Sequence, residues 1–265
     1  MKNNMNTRGF TLVELAIVLV IIGVLLSGFI GTLASRIEIT QRDNTKEQLE
    51  DIKTAILGFA GAHGRLPCPT TTTGAGQEQP VGGGVCALQH GFVPGKTLGL
   101  NGAYNKDGLL IDTWSNPIRY SVTTDSVFTT DSTPGAGGMK DMGMAALTPD
   151  LVVCDGNSAS NVDCSAGINK LTDNAPFIVL SLGKDGSDFV TNIAPNSDQG
   201  ENAGEAAVVA NAAGENLAYT VGNNRVFVSK SFSGVGATAG QFDDLIVWES
   251  PYILYSQMIE AGQLP

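Results

Sequence analysis

Arg8-Gly9-Phe10-Thr11-Leu12-Val13-Glu14-Leu15 marks an abrupt change in the character of the chain. Before it, Lys2 to Gly9 is polar and carries two positive charges, Lys2 and Arg8, with no acid. After it, no charged residue occurs from Leu15 to Ser35, a run of 21 residues. As a helix that run would rise about 31 Å, enough to cross the hydrocarbon core of a bilayer. The basic flank predicts that the leader stays cytoplasmic and that everything after Ser35 is exported. Glu14 stands at the edge of the apolar block, where an unpaired carboxylate in lipid costs roughly 2.5–3.5 kcal/mol. Such a charge calls for a partner.

Working outward, the apolar spacing changes to Leu49, Ile52, Ile56 and Phe59 or Ala60 with charges between them, the stripe of an amphipathic helix. The two patterns predict one helix from Phe10 to Gly61, about 75 Å long. His63-Gly64-Arg65-Leu66-Pro67-Cys68-Pro69 ends it, because Gly64 suits a helix C-terminus and two prolines forbid continuation.

The remaining chain differs in composition. Of 265 residues only 15% are charged and 33 are glycine, which describes a loop-rich, strand-rich body. Beyond Arg65, 8 Lys/Arg stand against 20 Asp/Glu, a net of −12. An acidic body repels phosphate backbones, so no nucleic-acid partner is expected. Thr70 to Gly84 is Thr- and Gly-rich and reads as a surface loop. Phe177 to Leu182, Arg225 to Phe232 and Leu245 to Trp248 are short strand candidates that predict an antiparallel sheet. Ser250-Pro251 opens a last helix with a cap and a first-turn proline, and Tyr252, Leu254, Tyr255, Met258 and Ile259 are its expected core residues. The fold class is α+β: a long N-terminal helix packed on a globular head with an antiparallel sheet and large loops.

Four cysteines, Cys68, Cys86, Cys154 and Cys164, form an even set without a CxxC pair, which suits an oxidising compartment. Three connectivities are possible, and free buried thiols are the alternative. Cys68 with Cys86 and Cys154 with Cys164 is favoured, since each pair clips a local polar loop with little core of its own. No GxSxG, Walker loop, helix-opening GxGxxG or HExxH occurs. The two histidines, His63 and His90, sit in glycine-flanked, loop-like settings with no identifiable nucleophile nearby. No enzymatic activity is expected. Gly183 to Asp188, with Asp185, Asp188, Asp198 and Glu201, and Asp243-Asp244 further on, offers oxygen ligands for calcium, although the spacing is not an EF-hand. A solvated Asp/Gly turn is the plainer reading, and no other cofactor is expected.

Arg8 to Leu15 followed by the apolar run resembles the class III signal sequence of type IV prepilins and type II secretion pseudopilins. The resemblance implies that a prepilin peptidase cuts after Gly9, that Phe10 becomes an N-methylated terminus, and that Glu14 pairs with the terminal amine of a neighbouring subunit. It implies four segments: a leader at 1–9, a transmembrane and filament-core half of the helix at 10–35, its amphipathic half at 36–61, and a periplasmic head at 62–265. The implied partners are the peptidase, other pilins or pseudopilins, the inner-membrane assembly platform, and membrane lipid before assembly. The implied location is the inner membrane, single-pass, then a periplasmic pseudopilus or a surface pilus. The sequence permits two other readings. An ordinary secretory signal cut near Ala34 fits poorly, because its apolar region is too long and contains Glu14. A plain single-pass anchor is permitted by the apolar run alone, and only Gly9, Phe10 and Glu14 argue against it.

Asp112-Thr113-Trp114-Ser115-Asn116-Pro117-Ile118-Arg119-Tyr120 resembles the Asp-Pro-Trp-Gly-Asn-Pro-Tyr segment of major pseudopilins, with Ser115 where glycine is usual. It predicts a turn that delivers Trp114 onto the core of the head. Those pseudopilins bind calcium in a C-terminal loop comparable to the Asp185 region. The resemblance points to a type II secretion pseudopilin, with a minor pilin of a surface pilus or a membrane-tethered ligand-binding module as the other possibilities.

Overall fold

The computed structural model describes residues 11–130, 135–156, 162–186, 198–203, 225–234, 237 and 240–264, with the side chains of 26–35 outside the description. Helix α1 runs from Leu12 to His63. It passes the expected end at Gly61 because the left-handed residue is Gly64, at φ 71°, whose N–H bonds Ala60 O at 2.8 Å. That is an αL cap, and glycine takes it without a Cβ penalty. The His63 ring stacks on Phe59 at 4.0 Å and extends the last turn. The expected start at Phe10 lies outside the described residues.

Two compact units divide the chain, Met1–Asp43 and Asn44–Pro265. The second begins within α1 because Leu49, Ile52, Ile56 and Ala60, at most 1% exposed, belong to the core of the head. The amphipathic stripe is thus part of the head by packing, at the i, i+3, i+7 spacing its sequence carries.

Within the second unit, a four-stranded antiparallel sheet has the order β1-β2-β5-β7, from β1 His90–Phe92, β2 Arg119–Val122, β5 Phe177–Ser181 and β7 Leu245–Trp248. Strand β5 is buried on both faces, which its unbroken Phe-Ile-Val-Leu run requires. Phe177 and Val179 join the core shared with α1, while Ile178 and Leu180 face Leu151, Val153 and Phe227. Those last residues belong to a second sheet of order β4-β3-β6, from β3 Leu151–Cys154, β4 Lys170–Ala175 and β6 Val226–Val228. Its β3 and β4 pair antiparallel, as expected, whereas β3 and β6 pair in parallel, which departs from the expectation for the Arg225 strand. Strand β6 is also shorter than the expected Arg225 to Phe232, and Phe232 is 46% exposed.

Helix α4, Pro251–Glu260, starts where the sequence predicts, with Ser250 Oγ accepting the Tyr252 N–H at 3.3 Å. Leu254, Tyr255 and Met258 are buried, but Tyr252 and Ile259 are exposed. A helix packed on one side only covers about a third of its positions, and these two fall on the outer face.

The disulfides Cys68–Cys86 and Cys154–Cys164 are formed, so no thiol is free. The loop from Thr70 to Gly84 has the exposed side its composition suggests, with Thr73, Gln77 and Val81 in solvent, but it also turns residues inward. Glu78, 3% exposed, points inward. It accepts Arg65 Nη1 at 2.8 Å, Arg65 Nη2 at 2.7 Å, Cys68 N at 3.1 Å and Gly82 N at 3.2 Å. A bidentate pair with every lone pair engaged is the condition under which a buried ion pair is tolerated.

Candidate functional site

Helix α1 begins with a reciprocal cap. The Glu14 carboxylate Oε2 accepts the Thr11 N–H and the Thr11 hydroxyl, both at 2.9 Å, and Thr11 Oγ1 accepts the Glu14 N–H at 3.3 Å. This is a capping box, Thr at the cap and Glu three residues on. It holds the acid against the amino-terminal lip of the helix, where the helix dipole favours negative charge. Beyond it, every large apolar side chain from Leu12 to Leu25 is exposed, from 45% at Ile22 to 85% at Leu12. The exposure lies on all faces of this stretch. No helix among the described residues is long and apolar enough to cross a membrane. The described side chains of this run stop at 25, short of the expected end at 35. Gly9 and Phe10 also lie outside the described residues.

Of the carboxylates considered for calcium, the fold brings Asp185 to Asp243 and places Asp198 against a lysine. Asp188 lies outside the described residues. Asp198, at the start of α3 (Asp198–Ala203), is in contact with the Lys230 ammonium. Asp185 faces Asp243 instead. Gln199 Nε2 donates to Asp185 at 3.2 and 3.3 Å and also to Asp243, and Gln241 Nε2 reaches Asp185 at 2.9 Å. Asp243 Oδ2 accepts the Lys184 N–H at 2.7 Å. Burial, then the hydrogen-bonded Asp243 beside it, pushes the Asp185 carboxyl up to about 7. Burial likewise raises Asp244 well above the carboxylate range, against the Asn202 amide that bonds it at 2.7 Å. Among the described residues no group of three or more His, Cys, Asp or Glu side chains could hold a metal ion. Glu201, 1% exposed, lies on α3.

The Asp112–Tyr120 segment forms a turn, but its buried anchor is polar. Trp114 is half-buried, outside the core. Asp112 accepts the Trp114 and Asn116 N–H groups at 2.9 Å and the Ser181 hydroxyl, and Asn116 Nδ2 donates to Gly183 O at 2.7 Å. The signal available in the sequence was the Asx turn at Asp112, which the aromatic residue beside it obscured. Ser115 takes φ 70°, a left-handed conformation that explains why glycine is usual there. The histidines are not in loops: His63 closes α1, and His90 is buried in β1 beside Phe227 at 5.8 Å.

Residues 4–30 match the family model described as the prokaryotic N-terminal methylation motif. No characterised protein and no solved structure matches the chain.

Proposed function

From a chain whose residues 4–30 carry the signature of type IV pilin-like proteins, we propose a structural subunit of a filament, processed after Gly9 and N-methylated on Phe10. The motif implies processing by a prepilin peptidase and assembly with other pilins, and its family is structural rather than enzymatic. The observation that carries the reading is the capped Glu14 at the head of a helix whose first described stretch, Leu12 to Leu25, is apolar and exposed on every side. Such a helix is stable only in lipid or among other apolar helices. In this reading residues 10–35 lie in the inner membrane before assembly and in the filament core afterwards. Residues 36–61 continue the helix and 62–265 form the periplasmic head. Glu14 meets the terminal amine of the neighbouring subunit, so that two costly charges neutralise each other in an apolar core. The assembly platform is the remaining partner.

Between the machines, the reading is a pseudopilin of a type II secretion system. The turn at Asp112 to Tyr120 supports it, with Ser115 held at the φ that glycine serves. The large disulfide-clipped head favours a minor pilin of a surface pilus as the second reading. Deletion of the gene separates them: a pseudopilin's loss traps exported proteins in the periplasm with surface pili intact, whereas a minor pilin's loss depletes surface pili with secretion intact.

A further inference from the structure

The head is built from strands of three to six residues, and its loops are clipped by covalent staples across 18 and 10 residues. A third contact of similar reach joins Lys230 Nζ to Asp198 Oδ2, 32 residues apart. Both side chains are only 18% exposed. Both are also held by their backbones. Asn202, one helical turn after Asp198, donates Nδ2 to Val228 O at 2.9 Å and accepts the Val228 N–H at 2.7 Å. Lys230 follows Val228 by two residues, so these two hydrogen bonds fix α3 against the end of β6, just before the amine. The ring of Phe242, 1% exposed, lies 5.1 Å from Nζ and keeps water from that side. Glu201 stands three residues after Asp198, on the same side of α3, and is 1% exposed. An amine and a carboxyl thus meet in a partly dry place, with a second buried carboxyl three residues along the same helix.

We propose that Lys230 and Asp198 condense to an intramolecular isopeptide bond. Glu201 takes a proton from the Lys230 ammonium, and the freed amine attacks Asp198 Cγ. The C–N bond forms and one C–O bond of the carboxyl breaks. Of the ammonium protons, one stays on the amide nitrogen and the other two reach the departing oxygen by way of Glu201, so that one water leaves. Nothing is oxidised or reduced. Prepositioning supplies the rate, since held reactants gain effective molarities of about 10⁵–10⁸ M. The product removes a charge pair from a poorly solvated place and ties α3 to the end of β6.

The test is a peptide map and intact mass of the disulfide-reduced full chain from its native membrane. A branched peptide joining Lys230 to Asp198 is expected, with the chain one water lighter than its processed sequence requires. Lys230→Ala and Asp198→Ala should each restore the full mass, and Glu201→Gln should leave most of the chain unlinked. Asp198→Asn should give the same branched peptide with ammonia lost instead of water. A folded wild-type chain of full mass, yielding separate linear peptides and a Lys230 amine open to acetylation, would overturn the proposal without reliance on any variant.

Discussion

Ile22 and Ile52 lie on one continuous helix and carry the same side chain, yet one is 45% exposed and the other 1%. The first belongs to the unit Met1–Asp43 and the second to the head. The difference teaches where each segment finds its solvent. Leu49, Ile52 and Ile56 are satisfied within the chain, so they specify the fold. Among the described residues, nothing in their own unit covers the apolar side chains from Leu12 to Leu25, and the proposed function assigns them to lipid or to other subunits. The charge pattern agrees, because a polar residue interrupts the stripe around Ile52 and none interrupts the run around Ile22.

The comparison breaks most directly by the same substitution on each side of it. Ile52→Ala opens a cavity in the head and should cost about 2–5 kcal/mol in denaturant unfolding. Ile22→Ala should leave head unfolding unchanged and act only on assembly. Equal losses from both would mean that the exposed segment is also part of the fold. Next in size, replacing Cys68 and Cys86 by Ser releases an 18-residue clip and should cost about 3 kcal/mol, seen as a lower unfolding midpoint.

A pH titration sharpens the account of the head. Asp185 is raised from its ordinary 3.8 to about 7 by burial and by Asp243, so the folded head holds a proton that the unfolded chain has lost. Its contribution to stability is complete below about 3.8 and is lost as pH rises toward 7. Asp244, raised by burial, acts in the same direction. Asp150 opposes them: burial pushes it up, but Thr123, Thr124 and Arg225 together hold it low, so its contribution falls away in acid. The head should therefore melt higher near pH 5 than near pH 8, and Asp185→Asn should flatten that difference. The smallest effect is expected at Ser115, where Gly relieves a left-handed φ of 70°. Ser115→Gly should stabilise the head by about 0.5–1 kcal/mol, since the relief outweighs the entropy glycine brings to the unfolded chain.

What could be read in the sequence were the features set by local chemistry. The apolar run, the stripe at Leu49, Ile52 and Ile56, the Ser250 cap and the apolar strand at Phe177 each announce themselves within a few residues. The Gly64 stop did so as well, although Gly61 drew the expected boundary two residues early. What could not be read depends on partners distant in sequence. Glu78 lies in a stretch whose Thr and Gly content says surface, and only the Arg65 guanidinium makes its burial possible. The parallel pairing of β3 with β6 joins strands more than 70 residues apart, beyond the reach of any hairpin signal. At the calcium candidate, the fold brings Asp185 to Asp243 and Asp198 to Lys230, contacts across 58 and 32 residues that local spacing does not announce. The Thr11–Glu14 box was present as Thr-x-x-Glu before an apolar run, a cap signature that the membrane argument overshadowed.

The central claim is that Phe10 to Ser35 is retained and serves assembly through Glu14. Intact mass and N-terminal sequencing of the protein from its native membrane, with Glu14→Ala beside it in a filament-shearing assay, test it most directly. The account predicts an N-methylated Phe10 terminus, with the variant processed normally and absent from sheared filaments. A terminus near Ser35, or a variant that enters filaments as well as the wild type, would contradict it.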